Sequence, residues 1–277
     1  MGALTALTDV KRLLFLLLLL PSLAFGQDGK PSTAARPDTA DWKYQRSKIK
    51  DETFFISLDP SAQHYFNRGQ LRSQIQDYPG AIADLSRCIA LAPEVPEVYY
   101  ARGAAKERQG DLPGALAYFT QLVTLRPSFA EGWNDRGQTY IKVNKFAEAE
   151  ADLRQALVLR PGWAVPFFNL GLVYAGQNNP LKAVEYYTKS IELDTTNPLA
   201  YNNLGRMYFK LKKYDQAIRC YTQSIGIFPQ YLNAFTNRAE AKMAIGDQAG
   251  ACQDIKAAAD LGDAKSLKYF REFYAKN

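Results

Sequence analysis

Residues 130–163 read AEGWNDRGQTYIKVNKFAEAEADLRQALVLRPGW, and this stretch contains two amphipathic helix patterns in succession. The first pattern joins residues three to four positions apart, which share one face of a helix: Trp133, Arg136, Gly137 and Tyr140. The second has the same spacing and consists of Ala149, Leu153, Ala156 and Leu157. Pro161 cannot continue a helix and closes the stretch. The sequence therefore predicts two helices joined by a turn at Asn144-Lys145.

The pattern of residues 130–163 recurs along the chain with a period of 34 residues. Small residues form two rows: Ala81, Ala115, Ala149, Ala183, Ala217 and Ala251, and then Gly69, Gly103, Gly137, Gly171, Gly205 and Ala239. Large side chains form two more: Tyr65, Tyr99, Trp133, Phe167, Tyr201 and Phe235, and then Leu85, Phe119, Leu153, Tyr187, Tyr221 and Ile255. The small residues let two helix backbones approach, while the large side chains fill the space beside them. We therefore divide residues 61–263 into six two-helix repeats: 62–95, 96–129, 130–163, 164–197, 198–231 and 232–265.

A 34-residue unit with aromatic, glycine, alanine, large apolar and proline residues at fixed offsets resembles the tetratricopeptide repeat. The resemblance implies an all-α fold, a right-handed α-solenoid of about six two-helix repeats with a C-terminal capping helix. Three repeats depart from the family pattern, since Arg72, Lys106 and Lys242 stand where it prefers tyrosine. A related family of RNA-reading helical repeats has a 35-residue unit, and the rows show no such drift.

The first 26 residues have the pattern of a secretory signal peptide. Lys11 and Arg12 precede the apolar run Leu13–Leu20, and small residues lead to a cleavage point before Gln27. The run is shorter than the roughly 20 residues that span a bilayer, so we predict cleavage and no stable membrane span in the mature chain. An uncleaved anchor is the alternative. Residues 250–263 also resemble the last repeat of exported bacterial tetratricopeptide proteins, which favours the periplasm of a Gram-negative bacterium, or secretion.

Three further segments lie outside the repeats. Residues 27–41 are rich in proline, alanine, serine, threonine and aspartate, and they predict a flexible linker. Residues 42–60 mix basic and apolar side chains and predict a helix that either caps the first repeat or binds a partner. Residues 264–277 predict a C-terminal capping helix, because four large side chains share one face: Leu267, Phe270, Phe273 and Tyr274.

The composition gives no sign of catalytic, cofactor or metal chemistry. The chain has one histidine, His64, which we expect on the surface or in packing, and three cysteines. Cys88 falls in a core position, and a bond between Cys220 and Cys252 is not expected, because packed helices lie about 8–10 Å apart. No phosphate-binding glycine loop or catalytic motif is present. The net charge of +6 is spread without a dense basic block, which argues against nucleic acid.

In the tetratricopeptide family, the first helix of each repeat lines a concave groove that binds the partner. Carried over by position, the resemblance assigns the following groove residues: Phe66, Asn67, Tyr100, Asn134, Val165, Phe168, Asn169, Leu172, Asn202, Asn203, Arg206 and Asn237. Asparagine offers a donor and an acceptor to a peptide backbone, and aromatic anchors often dominate binding energy. The alternative is that the asparagines bond within the repeats and the aromatic residues pack on their neighbours. The carboxylate clamp of cytosolic co-chaperones is absent, because Phe66 and Gln70 occupy its lysine and asparagine positions.

These features predict a non-enzymatic scaffold that binds peptide segments of partner proteins in its concave groove, outside the cytoplasm. The alternative is a structural subunit of a cell-envelope assembly or secretion complex, held by its outer faces or by residues 42–58. The partner, the pathway and the oligomeric state do not follow from the sequence.

Overall fold

The computed structural model describes residues 39–264 and 266, and every regular element in this part of the chain is a helix. The helices are α1 Thr39–Leu58, α2 Ala62–Gln74, α3 Tyr78–Leu91, α4 Pro96–Gln109, α5 Leu112–Leu125, α6 Ala130–Lys142, α7 Phe146–Leu159, α8 Ala164–Gly176, α9 Pro180–Leu193, α10 Pro198–Lys210, α11 Tyr214–Ile227, α12 Leu232–Ala244 and α13 Gln248–Asp260. The predicted signal peptide, nearly all of the predicted linker and nearly all of the C-terminal capping helix lie outside the described residues.

The helices from α2 to α13 form six hairpins, one for each predicted repeat, which confirms the all-α repeat fold. Each hairpin turns through one residue with positive φ at the same repeat position: Gln76, Gly110, Asn144, Asn178, Lys212 and Gly246. The next residue caps the second helix where its side chain can accept a hydrogen bond. Asp77, for example, accepts the backbone N–H of Gly80 at 3.0 Å, and Asp111 accepts that of Gly114 at 2.9 Å.

The small-residue rows lie where the two helices of a hairpin cross. All six alanines of the row are buried. At Gly171, an added Cβ would stand 2.4 Å from two ring carbons of Tyr187, and at Gly205 it would stand 2.6 Å from the Tyr221 ring. The aromatic residue of the second helix therefore occupies the space that the glycine leaves open.

Three hairpins are also joined by buried ion pairs. In each, an arginine of the first helix donates two hydrogen bonds of 2.6–2.9 Å to the aspartate sixteen residues later: Arg68–Asp84, Arg136–Asp152 and Arg238–Asp254. In such a pair, the two hydrogen bonds together fix the orientation of the guanidinium relative to the carboxylate. The ion pairs also explain two departures from the family pattern, because Arg72 and Lys242 bind the same aspartates at 2.8 and 2.9 Å.

The chain divides into two compact units, at Pro127 and Ser128. The described part of the N-terminal unit holds α1 to α5, with a core around Phe66, Leu85, Cys88 and Val98. The described part of the C-terminal unit holds α6 to α13. Its cores follow the hairpins, and one of them is built from Tyr174, Ala183, Tyr187, Leu204 and Met207. Within each unit, every helix packs on the next one along the chain.

Candidate functional site

The predicted groove residues lie on the first helices of the repeats, but the structure gives them different degrees of exposure. Five are buried: Phe66, Asn134, Asn169, Asn202 and Asn203. Five are half-buried: Asn67, Tyr100, Phe168, Leu172 and Asn237. Val165 and Arg206 are exposed. The half-buried and exposed residues can therefore contact a partner directly, whereas the five buried side chains serve mainly in packing.

Most of the asparagines bond to one another across neighbouring first helices. Asn169 Nδ2 donates to Asn134 Oδ1 at 3.0 Å, and Asn237 Nδ2 donates to Asn202 Oδ1 at 2.9 Å. Each bond joins residues 35 positions apart. These bonds therefore run between neighbouring repeats, whereas the alternative foreseen from the sequence had the asparagines bond within their own repeats. Asn67, in the first repeat, also bonds to a neighbouring helix: its Nδ2 donates to Glu52 Oε1 of α1 at 3.0 Å.

The asparagine ladder is interrupted between α8 and α10. The residue 35 positions before Asn203 is Phe168, whose ring offers no acceptor to an amide. Phe168 instead packs against Tyr187, with 5.7 Å between the ring centroids, and Leu172 joins the same apolar cluster. Among the described residues, Asn169 Oδ1 finds no hydrogen-bond partner although its side chain is buried. At this break the fifth position of the repeat is apolar on α8.

The surface at this interruption is apolar on α8 and cationic on α10. Val165 is 37 % exposed, and Phe168 and Leu172 are half-buried beside it along α8. Arg206 stands on α10. Burial raises the pKa of the Tyr187 and Tyr221 hydroxyls, and the Arg206 guanidinium opposes both shifts, so its charge lies near both rings. We call Val165, Phe168, Leu172 and Arg206 the α8–α10 patch.

The four residues of this patch were predicted from the sequence, but the asparagine ladder on either side of it was not. The ladder has a sequence signal, which is asparagine at the fifth position of one repeat and again 35 residues later: Asn134 with Asn169, and Asn202 with Asn237. Between α8 and α10 the first residue of the pair is Phe168, so no amide–amide hydrogen bond forms there. The first two pairs of successive repeats also lack the asparagine pair, with Phe66 and Ala101, and Tyr100 and Asp135, at these positions.

The described residues contain no group of three or more histidine, cysteine, aspartate or glutamate side chains that could hold a metal ion. The three cysteines are free thiols, as the sequence predicted for Cys220 and Cys252. Burial raises the pKa of the Cys88 thiol to about 12 and that of Cys220 to about 11, so neither is a ready thiolate at neutral pH. His64 Nδ1 lies 2.8 Å from Glu52 Oε2 in the contact between α1 and α2. No helix of the described part is long and apolar enough to cross a membrane.

Solved structures with the same fold include several tetratricopeptide repeat proteins. Pseudomonas aeruginosa pilF is 19 % identical with a TM-score of 0.65, and the match covers 79 % of this chain and 99 % of that one. A tetratricopeptide repeat protein from Parabacteroides merdae is 17 % identical with a TM-score of 0.67, covering 83 % and 91 %. YrrB is 20 % identical with a TM-score of 0.53, covering 68 % and 97 %. Comparison with curated protein sequences gives no match.

Family models described as tetratricopeptide repeat match four stretches of the sequence: residues 66–130, 130–163, 166–197 and 198–231. These stretches cover the first five repeats in the register assigned above, and α12 and α13 add the sixth hairpin. The matched residues, the repeated hairpins and the structural neighbours agree. The chain belongs to the tetratricopeptide repeat family.

Proposed function

We propose that this protein is a non-enzymatic scaffold that binds peptide segments of partner proteins at the α8–α10 patch. The observation that supports it most is the interruption of the asparagine ladder. At that point partly exposed apolar side chains of α8 pack on Tyr187, a ring that also feels the charge of Arg206 on α10, whereas α6 with α8 and α10 with α12 pair through amide hydrogen bonds. Exposed apolar side chains near a charged group are a common means of anchoring a peptide.

The fold is compatible with this use. The structure of YrrB is described as that of a tetratricopeptide repeat protein with an unusual peptide-binding site. At 20 % identity that likeness concerns the fold, so the choice of the α8–α10 patch depends on the side chains of this chain alone.

We place this activity outside the cytoplasm, in the periplasm of a Gram-negative bacterium or after secretion. The support is the N-terminal sequence, in which Lys11 and Arg12 precede the apolar run Leu13–Leu20 and a small-residue cleavage point. An exported scaffold would meet partners of the cell envelope.

A second function, as a structural subunit held by residues 42–58, is favoured by one observation. Helix α1 exposes Tyr44, Phe54 and Leu58, each by more than half. Large apolar side chains that stand together on a surface helix indicate a contact surface.

The groove proposal is tested by affinity capture from a cell-envelope fraction. The wild-type chain is compared with the double variant Phe168→Ser/Leu172→Ser and with the single variant Arg206→Glu. We expect both variants to lose the same set of captured proteins, because one removes the apolar anchors and the other reverses the adjacent charge. Retention of every partner by both variants would sink the proposal.

Two controls make this test specific. The double variant Val158→Ser/Leu181→Ser removes apolar side chains that are 72 % and 67 % exposed on the second helices, and it should keep the captured set. Thermal unfolding of each variant shows whether the fold is kept. Phe168 and Leu172 also pack on a core cluster, so the exposed Arg206 provides the variant with the smaller structural risk.

A further inference from the structure

Helix α1 attaches to the first repeat through one of its faces. The residues of that face are half-buried and recur three to four positions apart: Trp42, Gln45, Ile49, Glu52 and Ile56. Glu52 binds His64 and Asn67 of α2 at 2.8 and 3.0 Å, and Thr53 accepts a hydrogen bond from Arg68 at 3.1 Å. These contacts fix α1 against α2 and so determine which side of α1 faces solvent.

A second row runs along α1 with the spacing of a coiled-coil seam, about 120° around the helix from the attached face. Its members follow one another at intervals of four, three, four and three residues: Tyr44, Lys48, Asp51, Phe55 and Leu58. We call this row the free seam. Tyr44 is 59 % exposed and Leu58 is 69 % exposed, while Phe55 stacks on His64 and still keeps 44 % exposure. Lys48 Nζ lies 3.6 Å from Asp51 Oδ2 in the middle of the row, with both side chains about half exposed.

The residues that precede α1 are poorly suited to cover the free seam. Residues 27–40 contain no leucine, isoleucine, valine, methionine or aromatic residue. They therefore offer no large apolar side chain to pack on Tyr44, Phe55 or Leu58.

The order of residues in the free seam makes it complementary to itself in the antiparallel direction. In an antiparallel pair with its two-fold axis between Lys48 and Asp51, each Lys48 faces the partner's Asp51. In the same register, each Tyr44 faces the partner's Phe55. A parallel pair would instead set lysine against lysine and aspartate against aspartate, and like charges in contact are unfavourable. Polar residues at seam positions are the ordinary means of selecting one orientation of paired helices.

We infer that two copies of this protein associate through α1, with the free seams packed antiparallel about a two-fold axis between Lys48 and Asp51. Tyr44 with the partner's Phe55 supplies the apolar contact on each side of the central charges, and Leu58 falls opposite the partner's Asp41 in this register. The central charges select the register and the antiparallel direction. Such an interface is isologous, so it closes as a dimer and does not extend into a filament.

Sedimentation equilibrium of the purified full-length chain tests this association. The single variants Lys48→Asp and Asp51→Lys each place like charges in contact, and we expect each to raise the dimer dissociation constant about tenfold or more. The double variant Lys48→Asp/Asp51→Lys restores opposite charges in the reverse order. We expect its dissociation constant to return to within about threefold of the wild-type value, because the reversed pair is geometrically equivalent.

Three further measurements keep the test decisive. Lys50→Asp makes the same change of charge on α1 but lies off the free seam, and it should leave the dissociation constant unchanged. Tyr44→Ser removes an exposed aromatic residue of the seam and should weaken the dimer without altering the fold. Circular dichroism reports whether α1 stays helical in each variant. A wild-type chain that is monomeric at about 100 µM would overturn the inference, and so would single charge variants that dimerise as well as the wild type.

Discussion

At the scale of single residues, the glycine of the first helix decides how closely the hairpin can close in five of the six repeats. Tyr187 is fully buried, and its ring lies where the Cβ of an alanine at position 171 would stand. We expect Gly171→Ala to lower the free energy of unfolding by about 1–3 kcal/mol, because the ring or the backbone must move to admit the methyl group. Chemical denaturation measures this change directly.

A second glycine provides a matched control of opposite sign. Gly226 lies inside α11, and an added Cβ there meets nothing within 4 Å. We expect Gly226→Ala to raise the free energy of unfolding by less than the roughly 0.8–1 kcal/mol of a helix interior, because position 226 lies in the last turn. If both substitutions shifted stability in the same direction, the close contact at Gly171 would not be the cause.

The asparagines show where sequence reasoning stops at the residue scale. The 34-residue period correctly placed Asn134, Asn169, Asn202 and Asn237 on first helices. It could not show whether they face solvent or one another, because a period fixes the helix face and leaves the stagger between neighbouring helices open. The stagger joins the fifth position of one repeat to the sixth of the next, which buries Asn134, Asn169 and Asn202 and leaves Asn237 half-buried. Phe168, by contrast, keeps a partly exposed ring.

At the scale of helix pairs, the same two positions carry either an ion pair or an apolar pair. The third repeat joins Arg136 to Asp152, whereas the fourth has Leu170 and Tyr186 at the equivalent positions. Removing one partner of a buried ion pair leaves an uncompensated charge, while replacing both with apolar residues is often neutral. The chain thus contains both solutions to the same packing problem.

This alternation predicts a strongly non-additive pair of substitutions. We expect Arg136→Leu alone to lower the free energy of unfolding by about 3–5 kcal/mol, because Asp152 stays buried without its partner. We expect Arg136→Leu/Asp152→Tyr, which copies the fourth repeat, to recover most of that loss. A double-mutant cycle by denaturant unfolding measures the coupling. Additive losses would show that the two positions act independently.

The hairpin turns show how far a turn can be predicted from its own residues. Gly110 and Gly246 adopt positive φ easily, and Asn144 and Asn178 tolerate it, so four turns carry a local signal. Lys212 has φ of 57° without such a preference. Its conformation follows from the two packed helices on either side, which leave the connecting residue no other path. The repeat pattern therefore predicted this turn, although its local composition did not.

At the scale of the whole molecule, the contacts of the described chain are local. Within each unit, helices pack on the next along the chain, and three pairs of first helices touch: α2 with α4, α6 with α8, and α10 with α12. In such arrays, stability is the sum of the repeats and of the interfaces between neighbours. The number and order of the repeats could be predicted from the sequence because one pattern recurs six times. The division into two compact units could not, since the small-residue rows run through Pro127 and Ser128 without a break.

Local contacts predict that damage to one hairpin stays near that hairpin. In Gly103→Ala, the added Cβ would stand 2.8 Å from two ring carbons of Phe119, which loosens α4 and α5 of the N-terminal unit. In Gly205→Ala, the equivalent clash with Tyr221 loosens α10 and α11 of the C-terminal unit. Hydrogen exchange followed by mass spectrometry should show faster exchange in each damaged hairpin and its neighbours. We expect little change in α10 to α13 for the first variant and in α1 to α3 for the second, because local opening propagates through nearest neighbours. Equal acceleration along the whole chain in both variants would instead mean that it opens as one cooperative body, and the repeat-by-repeat account of its stability would be wrong.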